Sequence, residues 1–122
     1  MNQTDKRIEI LRALGYTVTY NGVRWVAQWP NTLIFGSESE ELAWKYGTPD
    51  PFTDLNAAFE CVAKAREWGW FLIFTNSQMP TAAFHLRMLN ERIITASDES
   101  SAAAIAEAFH LLLIERGNDN GK

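Results

Sequence analysis

The chain alternates between two spacings of apolar residues. Ile8, Leu11 and Leu14 recur three apart and predict one face of a helix. Thr4 is placed to cap it, Asp5 suits its first turn, and Gly15 stands where a helix ends in a left-handed residue. Period two follows, in Tyr16-Thr17-Val18-Thr19-Tyr20 and Val23-Arg24-Trp25-Val26-Ala27-Gln28-Trp29, with Asn21-Gly22 between. Asn-Gly between alternating runs predicts a type I′ hairpin, because both central residues need positive φ. That register sets Tyr20 opposite Val23, Val18 opposite Trp25 and Tyr16 opposite Ala27, so the aromatic side chains share the face to be buried.

Pro30 ends the second strand, and residues 31–36 read as a loop around Leu33, Ile34 and Phe35. Ser37-Glu38-Ser39-Glu40 matches a capping box, predicting a short helix that stops at Gly47. Its apolar side is Leu42, Ala43 and Tyr46. Thr48-Pro49-Asp50-Pro51 cannot continue a helix. Thr53 then caps a central helix on which Leu55, Ala58, Phe59, Val62, Ala63 and Arg66 form the predicted stripe. Gly69 closes it. Strands are expected at 70–75, 82–89 and 92–96, with a turn region at 76–81. A last helix begins near Ser97-Asp98-Glu99-Ser100, buries Ile105, Ala108, Phe109, Leu112 and Leu113, and stops at Gly117. The order α-β-β-(α)-α-β-β-β-α with short connections predicts an α+β fold: an antiparallel sheet of about five strands covered by amphipathic helices. One domain over 1–117 and a frayed tail over 118–122 are expected, with no internal repeat.

Composition narrows the function classes. The 122 residues are 47% hydrophobic, which is globular, and carry a net charge of −4, which argues against general binding of phosphate backbones. Cys61 is the single cysteine, so an intramolecular disulfide and a cysteine-built zinc site are excluded. The N-terminal MNQTDKRIEI lacks the apolar core of a signal peptide, and no apolar run approaches the ~18 residues of a membrane span. A cytoplasmic location is expected.

The run Pro51-Phe52-Thr53-Asp54-Leu55-Asn56-Ala57-Ala58-Phe59-Glu60-Cys61-Val62 resembles a motif of small phage and prophage proteins, the phage α/β/α sandwich domain family. The Ala102-Ala103-Ala104-Ile105-Ala106-Glu107-Ala108-Phe109 run is similar to the alanine-rich last helix of that family. The resemblance covers about 51–115; Phe52 stands in place of the usual tyrosine and Asn56 in place of an alanine. It implies a phage-related origin and a non-enzymatic accessory role, without catalytic residues to carry over.

Candidate chemistry is sparse. Glu107 and His110 have the spacing of half a di-iron site, but a second such pair is missing, so a surface ion pair is expected. His85 reads as a half-exposed sheet residue and Cys61 as a packing residue. No phosphate-binding, nucleophile-elbow or zincin motif occurs, so an enzyme, a metal site and a cofactor are not expected. The five tryptophans exceed the needs of a small core, which points to a binding surface at Trp25, Trp29 and Arg24 of the hairpin, at Trp44 with Glu38, Glu40 and Glu41, and at Gln78 and Met79 of the 76–81 turn. The expected function is that of a phage- or prophage-encoded accessory protein acting by binding, most sharply an inhibitor of a bacterial antiviral defence system, an anti-CRISPR-like or other anti-defence protein.

The expected partner is a host protein complex or a small nucleotide signal; no membrane is expected as partner, and the chain is expected to be a homo-oligomer. A nucleotide-holding form calls for a pocket lined by tryptophan with Arg24 or Arg87. The second reading is a structural or assembly accessory protein of the virion.

Overall fold

A computed structural model of the chain describes residues 2–28, 34–76, 78–86 and 92–120. The fold is α+β, with four helices and two three-stranded antiparallel sheets. The chain divides into two compact units, Met1–Asp50 and Pro51–Lys122. Each follows the same order, a helix, a three-stranded meander and a second helix. The expected single sheet of about five strands is therefore two sheets of three.

In the first unit, α1 (Gln3–Leu14) is capped by Asn2, whose side chain accepts from the Asp5 amide, two residues earlier than Thr4 would do it. Gly15, at φ 103°, ends the helix; its N–H donates to the Arg12 carbonyl while the Tyr16 N–H donates to that of Leu11, the two closing bonds of a Schellman motif. The sheet is β1 (Thr17–Tyr20), β2 (Trp25–Gln28) and β3 (Ile34–Ser37), in that order. Tyr20 faces Trp25 and Val18 faces Ala27, a shift of two residues from the expected register. The cause is Asn21. Its side chain accepts from the Val23 and Arg24 amides, and its own N–H donates to the Arg24 carbonyl, so Gly22 and Val23 become the turn. Gly22 takes the first central position at φ 98°. A shift of two preserves the face, and Tyr16 and Val18 still pack inward, with Leu11, Ile8, Leu14 and Trp44.

β3 replaces part of the expected 31–36 loop. It pairs with β2, Gly36 opposite Val26, and the side chain of Arg24 lies across that glycine: a Cβ at 36 would fall 2.5 Å from the Arg24 Cδ. Ser37 therefore ends a strand, and Ser39 caps α2 (Glu40–Gly47) by accepting from the Leu42 amide. Glu40 and Glu41 fall in the first turn, where the helix dipole favours them.

In the second unit, Asp54 rather than Thr53 caps α3 (Leu55–Glu67), accepting from the Asn56 and Ala57 amides. The buried face of α3 is Ala57, Ala58, Cys61 and Ala65, which differs from the expected stripe: Leu55 is exposed, and so is Phe59, at 51%. The small residues let α3 lie close to α4 (Ser101–Asn120), whose segment 102–110 is buried almost all round, Glu107 alone being half-exposed. Gly69, at φ 87°, turns the chain into the sheet β4 (Trp70–Asn76), β5 (Pro80–Leu86) and β6 (Arg92–Ser97). Phe84 meets Phe109 edge-on at 6.4 Å, fixing α4 on β5. α4 does not stop at Gly117, since glycine also adopts right-handed helical angles, and it continues to Asn120.

Candidate functional site

The residues expected to form a binding surface divide between the two units. In the first, Trp44 is 4% exposed and belongs to the core, beside Leu11 and Tyr16. Trp25 is half-buried and tilted against Tyr20, ring centroids 5.4 Å apart. Arg24, Glu38, Glu40 and Glu41 are exposed, and Glu41 lines one cavity with Trp44. In the second unit, Gln78 and Met79 are exposed at the β4–β5 turn. Trp29 and Arg87 lie outside the described residues.

The cavity beside Trp44 holds about 200 Å³ and is lined by Thr4, Arg7, Ile8, Glu41, Trp44 and Lys45. It brings tryptophan and arginine together, but through Arg7 rather than Arg24. The sequence gives no sign of this, because Arg7 and Trp44 are joined only by the fold. Arg7 Nη2 donates to the carbonyls of Trp44 (3.0 Å), Lys45 (3.1 Å) and Thr48 (2.9 Å), and reaches Thr48 Oγ1 at 3.3 Å. Thr48 Oγ1 in turn donates to the Trp44 carbonyl. Arg7 thus directs the donors of Nη2 to the negative end of α2. Arg7 Nε and Trp44 Nε1 are buried and have no hydrogen-bond partner among the described residues. The guanidinium of Arg12 lies 5.5 Å from the Trp44 ring centroid. The arrangement holds the end of α2, with the cations of Arg7 and Lys45 and the carboxylate of Glu41 all in the lining.

The second unit carries a different surface. Alternation puts Trp70, Leu72 and Phe74 of β4 on the helix side of the sheet, with Phe84 beside Leu72. Phe71, Ile73, His85, Ile93 and Thr95 occupy the outer side. Ile73 is 51% exposed and Ile93 56%. On the helix side, Leu55, Phe59, Leu72, Phe74, Ser101 and Ile105 line an apolar groove of about 270 Å³. These positions escape a pattern-based reading because large apolar residues in periodic segments look like core. The available signal is the alanine content of α3, which offers a close-packing face of its own, and the uncharged run Trp70-Phe71-Leu72-Ile73-Phe74-Thr75-Asn76.

The remaining candidates are built into the packing. Cys61 is buried and directs its thiol to the Ala57 carbonyl at 3.7 Å. Burial, with the neighbouring Glu60 charge adding to it, pushes that thiol far above its ordinary value. His85 is half-buried in β5. His110 is buried rather than at the surface where the expected ion pair was placed, because α4 is covered on the side it occupies. Among the described residues no group of three or more histidine, cysteine or acidic side chains is placed to hold a metal, and no helix is long and apolar enough to cross a membrane. No protein-family model matches the chain, and no curated protein does.

Proposed function

We propose that the chain is a small accessory protein that acts by binding, presenting the outer face of the β4–β5–β6 sheet to a partner protein. The observation that carries this is the exposure of Ile73 and Ile93 on that face, in rows with Ala83, Thr95 and His85. A solvated sheet face ordinarily alternates to polar side chains, so apolar ones there fit an interface. The resemblance of 51–115 to small phage proteins gives the reading its sharpest form: inhibition of a bacterial antiviral defence system by occupying one of its proteins. The location that goes with it is the cytoplasm of an infected or lysogenic cell.

The test is affinity capture from infected cells with the tagged chain, alongside Ile93→Glu. One host complex should be recovered, and Ile93→Glu should lose it while its thermal unfolding stays unchanged. Recovery indifferent to Ile93→Glu would overturn the choice of surface. Recovery with capsid or tail proteins alone would favour a virion accessory role instead.

A further inference from the structure

β4 ends its sheet: β5 pairs with one side of it, and no described strand pairs with the other. An edge strand presents backbone donors and acceptors outward, and proteins normally blunt such edges with charge or proline. β4 has neither over seven residues. The strand exposes apolar side chains on both faces, at Phe71 and Ile73 outside and Phe74 on the helix side, before ending in the exposed polar residues Thr75 and Asn76. Next to Phe74 lie Leu55 and Phe59, turned outward because the alanine face of α3 is the one that packs.

We propose that β4 pairs antiparallel with β4 of a second copy of this chain, joining the two second-unit sheets into one of six strands. Three features favour a second copy as the occupant. An antiparallel strand edge is its own complement under a two-fold axis, so one surface serves both sides. The seam is uncharged, so an acidic or basic partner would find nothing to pair with, and two chains of net charge −4 meet where repulsion is least. The size also fits. Leu55, Phe59, Ile73 and Phe74 are each about two-fifths to one-half exposed; together they leave roughly 350 Å² per copy if a large side chain offers about 200 Å². Two copies then bury on the order of 700 Å² of apolar side chain before the backbone edges are added, near the lower bound of about 1,200 Å² for specific interfaces. That describes a reversible, concentration-dependent dimer.

The register that uses all seven residues centres on Ile73, with Leu72 opposite the partner copy's Phe74. The groove of one copy then adjoins that of the other, and Leu55 and Phe59 close over the seam. Most of the outer face, including Ile93, stays open. Ile73 is shared with the partner surface, so the two readings are told apart at Ile93, which only the partner reading uses: a monomeric chain that still captures its partner would sink only the dimer.

Sedimentation of the full chain across a concentration series tests this, with Phe59→Lys, Phe74→Glu and Ile73→Cys as variants. A monomer–dimer equilibrium is expected. Phe59→Lys and Phe74→Glu should each weaken it more than about tenfold, as loss of a central anchor does. Ile73→Cys should form a disulfide-linked dimer on mild oxidation, the native Cys61 being buried. A monomer at every concentration would overturn the proposal. So would a dimer untouched by Phe59→Lys and not cross-linked through position 73. If Phe74→Glu fails to fold, the surface variant Phe59→Lys and the cross-link still decide.

Discussion

The guanidinium of Arg116 lies 3.8 Å from the centroid of the Trp68 ring, which is stacked nearly parallel to Phe109 at 5.9 Å. Two side chains of α4 thus hold the residue that ends α3. Arg116→Ala should cost about 1 kcal/mol, the scale of a part-exposed cation–π contact. Trp68→Ala should cost about 3 kcal/mol, because packing against Phe109 goes with it. Urea denaturation of both variants checks the values. Equal, negligible losses would show that the last turns of α4 are not anchored there.

Arg7 holds the end of α2 through one nitrogen shared among three carbonyls and a hydroxyl. Arg7→Met keeps most of the aliphatic stem and removes the donors, and should destabilise by about 2 kcal/mol, the range for hydrogen bonds to a charged group. Arg7→Lys should recover less than half of that, since a single ammonium cannot reproduce the planar fork. Denaturant midpoints of the three proteins at one pH decide this.

The two faces of α3 predict different responses to substitution. Ala58→Leu places extra methylenes where α3 meets its packing partners and should cost about 2–3 kcal/mol. Phe59→Ser removes a far larger apolar group yet should cost no more than that, about 1–2 kcal/mol, because half of the ring is already in solvent. Thermal unfolding at a concentration where the chain is monomeric separates the two. A large loss for Phe59→Ser would place that ring in the core after all.

The Cys61 thiol is held protonated by burial, above its ordinary value near 9. A raised folded value means that its stabilising contribution is complete below the unfolded thiol range. It is lost as pH rises through that range toward the folded value, because only the unfolded chain ionises there. The urea midpoint should therefore fall between pH 8 and pH 10 by more in the native chain than in Cys61→Ala. A thiol reagent should label Cys61 only as fast as the protein opens. Rapid labelling at pH 7 would contradict the burial.

How far the sequence carried this picture depends on where the apolar signal lies. Gly15 and Gly69 mark real helix ends, and a two-residue slip leaves the hairpin side chains on the same side; that face is buried at Tyr16 and Ala27 but not toward the turn, where Tyr20 and Val23 are exposed. β3 has little local signal: Pro30 precedes it and Gly36 lies within it, required there by the side chain of Arg24, the residue before β2. The buried face of α3 shares Ala58 with the predicted stripe and otherwise departs from it, because alanine and cysteine carry weak hydrophobic signal even when they decide the packing. The tryptophans show the reverse. Trp44 and Trp70 look surplus but are core, while the exposed apolar residues sit in runs that resemble a core. The pairing of Arg7 with the end of α2 spans about forty residues and has no local trace.

Both sheets are meanders, and every strand pairs only with a neighbour in sequence. Such topology lowers the entropic cost of first contact and speeds folding. It also bears on synthesis. All three strands and both helices of the first unit lie before residue 51, and 72 more residues follow. At about 5–20 residues per second, the ribosome needs roughly 4–14 s to make them. β4 ends only 26 residues after Asp50, roughly 1–5 s at that rate, so the first unit leads the apolar β4 edge by those few seconds alone, and the strands that complete the second sheet follow it.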